Sequence, residues 1–213
     1  MVTGTQIQKA YSDQTGRFPH LSAREYQYIF VYYDYDTNII LTEPLPNRSA
    51  SNLTTNKAWQ RCFDTIKHSG NVVNLHILDN ECAEDLKKAF RKNNVSFQLV
   101  PPHMHRRNAA ERAIQSWKNH FLAGLASLPP KFPMKEWDRL LAHATLTLNH
   151  LRSSRRHPKL SAYAAVFGQY NFDANPIAPP GTRVLIHETQ DQRGTFDFHG
   201  REGWYVGPTL EHY

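Results

Sequence analysis

Residues 26–33 (YQYIFVYY) are aromatic and β-branched with almost no polar alternation, which predicts a strand covered on both faces rather than a solvated one. A turn over 34–38 and a second strand over 39–43 follow, while the weaker segment 9–17 is expected to supply a partner strand. In the stretch 51–70 the apolar residues Trp59, Cys62, Phe63 and Ile66 fall at three- and four-residue spacing. That spacing predicts a helix stopped at Gly70. Strand character returns over 71–78 (NVVNLHIL) and ends at Asp79-Asn80-Glu81. A short charged helix is expected over 84–93 and a short strand over 95–100, halted by Pro101-Pro102.

From Asn108 the chain reads as a strong helix, with Ala110, Ile114, Trp117 and Phe121 forming one apolar stripe. Pro129-Pro130 breaks it before a second long helix at about 134–151, whose one side carries Trp137, Leu140, Leu141, Ala144 and Leu148. The order is three strands, helix, strand, helix, strand and two long helices. It predicts an α/β fold with a mixed sheet flanked by helices, the order found in the ribonuclease H-like fold. The expected organisation is a lead-in over 1–8, a catalytic-type core over 9–170 and a proline-rich linker over 171–181. A small β segment over 182–213, with strands at 182–187 and 204–206, is expected to be cut short by the end of the chain.

Composition narrows the classes. With 213 residues, 40% of them hydrophobic, the chain can bury a real core. Its longest apolar run, 28–33, is far shorter than the ~20 residues of a membrane span, so no membrane partner is expected. Two cysteines, Cys62 and Cys82, cannot build a disulfide framework. Twenty-five basic against 19 acidic residues give a net charge of +6, which favours a polyanionic partner. Basic residues gather at Arg106, Arg107, Arg112 and Lys118, and again at Arg152, Arg155 and Arg156. Both groups, with Asn108, are candidates for DNA contact, and each could also be a solvated face.

Three acidic residues sit where sheet enzymes carry chemistry. Asp13 lies in the expected first strand, Asp79 at the carboxyl end of a buried strand, and Glu111 in the first turn of a helix. Carboxylates on separate rigid elements can converge on a pair of Mg²⁺ ions, and two such ions suit in-line phosphoryl displacement. Structural readings stand beside this one. Asn108-Ala-Ala-Glu111 fits a capping box, Asp13-Gln-Thr-Gly16 an ordinary turn, and Asp79-Asn80 an ordinary strand exit. Asp34 and Asp36 compete for the role of first carboxylate but also read as turn residues. His103-Met-His105 lacks the companion ligands of a zinc site. Neither a phosphate-binding glycine loop nor a nucleophile elbow occurs.

Five stretches, in order, resemble the integrase core of copia-type LTR retrotransposon polyproteins. They are Asp13-Gln-Thr-Gly-Arg-Phe-Pro19, Leu78-Asp79-Asn80-Glu81, the run from Pro101 to Arg112, Trp137-Asp-Arg-Leu-Leu141, and Gly203-Trp-Tyr-Val-Gly207. The resemblance implies a D-D-E triad at Asp13, Asp79 and Glu111, with two Mg²⁺ (or Mn²⁺) ions as cofactors. It implies DNA as partner, both element ends and a target duplex, and two reactions: trimming of 3′ ends, then strand transfer. It further implies a homo-oligomer, nuclear action, and DNA contact by Lys118. Departures are a shorter interval between Asp79 and Glu111 than in retroviral relatives, Glu81 in place of a common glycine, and no upstream paired His/Cys zinc module in this sequence. The competing expectations are a catalytically silent DNA-binding remnant and, further off, a ribonuclease H-type nuclease.

Overall fold

The computed structural model describes residues 8–48, 53–78, 82–100, 109–196 and 198–209. Five strands form the main sheet: β1 (Lys9–Gln14), β2 (Tyr28–Asp34), β3 (Ile40–Leu45), β4 (Leu75–Leu78) and β5 (Ser96–Leu99). Their order across the sheet is β3-β2-β1-β4-β5. The first three strands run as an antiparallel meander, with Asp13 opposite Val31, and β4 and β5 add in parallel, with Tyr11 opposite Ile77. Helices α1 (Leu53–His68), α2 (Glu84–Lys92), α3 (Ala109–Ala126), α4 (Leu141–Leu151) and α5 (Ala162–Phe167) cover the sheet. The mixed sheet flanked by helices is the fold class expected from the sequence.

The uniform hydrophobicity of β2 has a direct cause. Its residues alternate between two cores. Phe30 and Tyr32 pack with Trp59, Cys62, Phe63 and Ile66 of α1, Phe90 of α2 and Val166 of α5. Ile29, Val31 and Tyr33 pack with Trp117 and Phe121 of α3, Trp137, and Leu141 and Leu148 of α4. Since both faces are dry, neither set of positions can be polar. Trp59, Trp117 and Trp137, three of the largest side chains, are almost entirely buried.

Several boundaries differ from the sequence expectation. The strand expected over 71–78 is ordered only from Leu75, because β4 pairs with β1 from Lys9 opposite Leu75. Gly70 takes φ of 77°, a left-handed geometry that suits its place just after α1. The helix expected over 134–151 is two elements: a 3₁₀ helix, Met134–Leu140, and then α4. In the tighter 3₁₀ turn Asp138 comes inward, its side chain fully buried and bonded to Arg24 (Nε–Oδ2 2.6 Å). Arg24 is half-exposed and belongs to the β1–β2 connection, so the pair ties that connection to the helical layer. Helix α5 was not expected from its sequence. Ser161 caps it, accepting the Ala164 N–H at 3.0 Å.

The proline-rich stretch 171–181 is laid against the helical layer. His143 Nε2 donates to Ala178 O at 2.9 Å, and Tyr205 Oη donates to Pro176 O at 3.2 Å. Gly181 (φ 72°) leaves no room for a side chain, since a Cβ there would lie 2.6 Å from Leu128. Beyond it, β6 (Arg183–His187) and β7 (Gly200–Trp204) pair antiparallel as a separate two-stranded sheet. Trp204 packs on Phe132 with ring centroids 5.9 Å apart.

Candidate active site

Asp13 is positioned by parity. Tyr11 packs in the α3-side core, and two residues on, Asp13 stands on the same side of β1. The intervening Ser12 belongs to the opposite face, where its Oγ meets His76 Nε2 at 2.8 Å. Asp13 is half-buried, and one of its carboxylate oxygens accepts the Gln14 N–H at 2.7 Å. Glu111 lies in the first turn of α3, where a carboxylate also suits the helix dipole. The α3 stripe of Ala113, Trp117 and Phe121 is what buries the helix against the sheet and so fixes Glu111 beside the end of β1.

The two carboxylates line one cleft of about 670 Å³. One wall is the β1 exit, from Asp13 to His20. The other is α3, which contributes Glu111, Ile114, Gln115, Lys118, Phe121 and Leu122, with Leu125 and Met134 closing the apolar end. A volume of this order suits a small-molecule- or nucleotide-sized group. Glu111 and Lys118 are seven residues apart, so two helical turns, about 10 Å, separate them along the cleft. The cleft thus has an acidic end formed by two elements and a cationic position farther along one wall.

Of the other residues proposed from the sequence, Asp79, Arg106, Arg107 and Asn108 lie outside the described residues, as does the His103-Met-His105 pair. Leu78, the residue before Asp79, ends β4 next to β1. Among the described residues no group of three or more His, Cys, Asp or Glu side chains comes together as a metal cage. Arg112 is exposed on α3 and does not line the cleft. Asp34, the competing carboxylate, is a buried turn residue. Its Oδ2 accepts both the Thr37 N–H (2.8 Å) and the Thr37 hydroxyl (2.6 Å), and burial raises its pKa.

Arg152, Arg155 and Arg156 lie elsewhere. They attach to the β2–β3 turn, at the end of the sheet opposite Asp13. Arg152 Nε donates to Asn38 O at 2.9 Å, and Arg155 Nη1 donates to Tyr33 Oη at 2.5 Å. Arg155 also covers the Tyr35 ring, 4.1 Å from its centroid, while the backbone N–H groups of Arg155 and Arg156 bond Asp36 O. Sequence reasoning missed Arg17, His20 and Phe18, which line the cleft. The available signal was their position immediately after Asp13.

No protein-family model matches the sequence, and no curated protein matches it. Solved structures do. A chain of the simian T-cell lymphotropic virus intasome, imaged by cryoEM with the PP2A regulatory subunit B56 gamma, aligns with a TM-score of 0.56 and 14% identity. That alignment covers 94% of this chain and 66% of the viral one, so the present chain spans just under two thirds of its length. The catalytic core domain of BIV integrase aligns with a TM-score of 0.53 and 14% identity, over 74% of this chain and 92% of that one. The HTLV-2 integrase catalytic core domain, solved in complex with magnesium in a trimeric form, gives 0.52 and 15%, over 74% and 95%. At such identities the shared property is architecture: the chain has the ribonuclease H-like fold of retroviral integrase catalytic cores.

Proposed function

We propose that the protein is the catalytic core of a copia-type retroelement integrase, a polynucleotidyl transferase that trims DNA 3′ ends and joins them to a target duplex. The observation that carries this reading is the meeting of Asp13 and Glu111, from a strand and a helix far apart in sequence, along one cleft at the end of the sheet. Asp79 is the third carboxylate of the proposal. It follows directly on Leu78, the last residue of β4, and itself lies outside the described residues.

The donor chemistry fits hard divalent cations. Carboxylate oxygens from rigid elements, one half-buried and one exposed, are the ligand type Mg²⁺ or Mn²⁺ takes. When bound, two such ions would supply activation of the attacking oxygen and stabilisation of the departing one. The chain's own part is to hold Asp13 and Glu111 in fixed relation through the β1–α3 packing. Lys118 contributes a positive charge two turns from Glu111, where a DNA phosphate would lie. The partners of this reading are element ends and target DNA, with action as a homo-oligomer in the nucleus.

The test is Mg²⁺-dependent nicking and strand transfer on oligonucleotide duplexes. Asp13→Asn and Glu111→Gln are each expected to lower the rate by at least about 10²-fold while leaving thermal melting and DNA binding in place. Undiminished rates in either variant would overturn the assignment. DNA binding by the wild-type protein without any metal-dependent cleavage would leave only a silent DNA-binding domain.

A further inference from the structure

The cleft has a second cationic wall that the triad does not use. Arg17 lines it from the β1 exit, opposite the α3 wall that carries Lys118. It is exposed, and among the described residues no acceptor or carboxylate engages it. This sets it apart from six other arginines among the described residues. Arg24 bonds Asp138, Arg61 bonds Glu43, Arg139 bonds Glu136, and Arg152, Arg155 and Arg156 are anchored to the β2–β3 turn or to Asn71.

Its mount is rigid on both sides. On one side, the Thr15 N–H donates to Ile29 O (2.9 Å), and the Thr15 hydroxyl oxygen accepts the Ile29 N–H (3.1 Å). On the other, the Phe18 N–H donates to Gln27 O (2.8 Å), and its ring lies 4.3 Å from that of Trp137. The backbone that carries Arg17 is thus held in place, so taking a ligand orders the side chain alone. Four residues of extended chain put it at most about 13 Å from Asp13, so the phosphate it could reach lies within a few nucleotides of the reacting bond.

We infer that Arg17 is a DNA-positioning residue, gripping a backbone phosphate from the wall opposite Lys118 and aligning the strand on the acidic end of the cleft. The inference rests on the DNA-acting reading given above and adds to it a contact on the strand-exit wall. Guanidinium matches a phosphate bidentately, so Arg17→Lys keeps the charge and loses the fork.

The test is fluorescence anisotropy of a fluorescein-labelled DNA duplex, with Ca²⁺ as the divalent ion, titrated in KCl from about 50 to 200 mM. Wild type, Arg17→Gln, Arg17→Lys and Arg91→Gln would be compared. Arg91→Gln removes the same charge from an exposed site on α2, away from the cleft. Arg17→Gln is expected to weaken binding about 10-fold and to flatten the slope of log affinity against log salt by about 0.9, with melting unchanged. Arg17→Lys should restore most of the slope, and Arg91→Gln should leave it as in wild type. If Arg17→Gln and Arg91→Gln bind alike, the inference is overturned, and loss of nicking in Asp13→Asn would still uphold the enzyme. If Asp13→Asn nicks DNA as wild type does, the enzyme reading falls, whereas the salt slope of Arg17→Gln still decides whether Arg17 holds DNA.

Discussion

His76 is fully buried on β4, between Ser12 of β1 and Trp59 of α1. Trp59 Nε1 can only donate, so His76 Nδ1 is the acceptor at 3.4 Å and Nε2 carries the proton offered to Ser12. A second proton on Nδ1 would face a donor in a dry core, and burial depresses the pKa of His76 from 6.5 to about 3. The folded value lies below the unfolded one, so the contribution to stability is complete above pH 6.5 and is lost as pH falls toward 3. The expected slope from this residue is about 1.4 kcal/mol per pH unit within that window. Urea unfolding measured from pH 7 to 4 should show it, and His76→Gln should unfold more readily at pH 7 but with a shallower pH dependence. An unchanged dependence in the variant would shift the cost to other histidines. His120, His143 and His150 also have pKa values lowered by burial and so act in the same direction. None of this pairing was legible in sequence, where His76 reads only as one polar residue inside NVVNLHIL.

At the scale of elements, the sheet's outer edge shows how one side chain can replace a strand. The Asp34 N–H bonds Ile39 O, which turns alternate β3 groups toward β2 and leaves those of Ile40, Thr42 and Pro44 facing outward. Asn149 of α4, buried, closes the first of these. Its Oδ1 accepts the Ile40 N–H at 3.0 Å and its Nδ2 donates to Ile40 O at 2.7 Å. Pro44 has no N–H to offer, so another strand finds little to extend. Asn149→Ala should cost about 1–3 kcal/mol in denaturant unfolding and faster hydrogen exchange at Ile40, because a buried donor and acceptor would be orphaned together. A cost confined to a few tenths of a kcal/mol would mean water takes over both bonds. The elements themselves were mostly readable. The apolar face of α1 and the continuous apolar run of β2 needed only periodicity. The 3₁₀ turn ahead of α4 and the six-residue α5 were not. The first carries Asp138, whose partner Arg24 is distant in sequence, and the second is too short to show a face.

At the scale of the whole molecule, the net charge of +6 pointed to a polyanion, but it did not say which basic residues share a surface. Arg152, Arg155 and Arg156 read as a cluster in RSSRRHPK, yet their bonds and ring contacts serve the turn at the far end of the sheet from Asp13. Lys118 and Arg17, separated by most of the core in sequence, both line the one cleft. Asp13 and Glu111 were legible as candidates because strand ends and first helical turns are where such side chains are held rigidly. Their meeting is a property of β1–α3 packing, which spacing alone did not give and only the resemblance of the motifs implied.

The stretch 176–181 carries a consequence for any attempt to trim the protein. It reads as a hinge between two independent parts, yet its carbonyls hold His143 and Tyr205, and Gly181 fits against Leu128 where no side chain could. Pro180 roofs a small apolar hollow whose lining, Phe121 and Leu125, also borders the cleft of Asp13 and Glu111. A polypeptide ending at residue 170 would keep all five sheet strands while wetting the back of the helix that bears Glu111. Such a fragment should bind hydrophobic dyes and melt well below the full chain; equal melting of the two would show that this roof is dispensable.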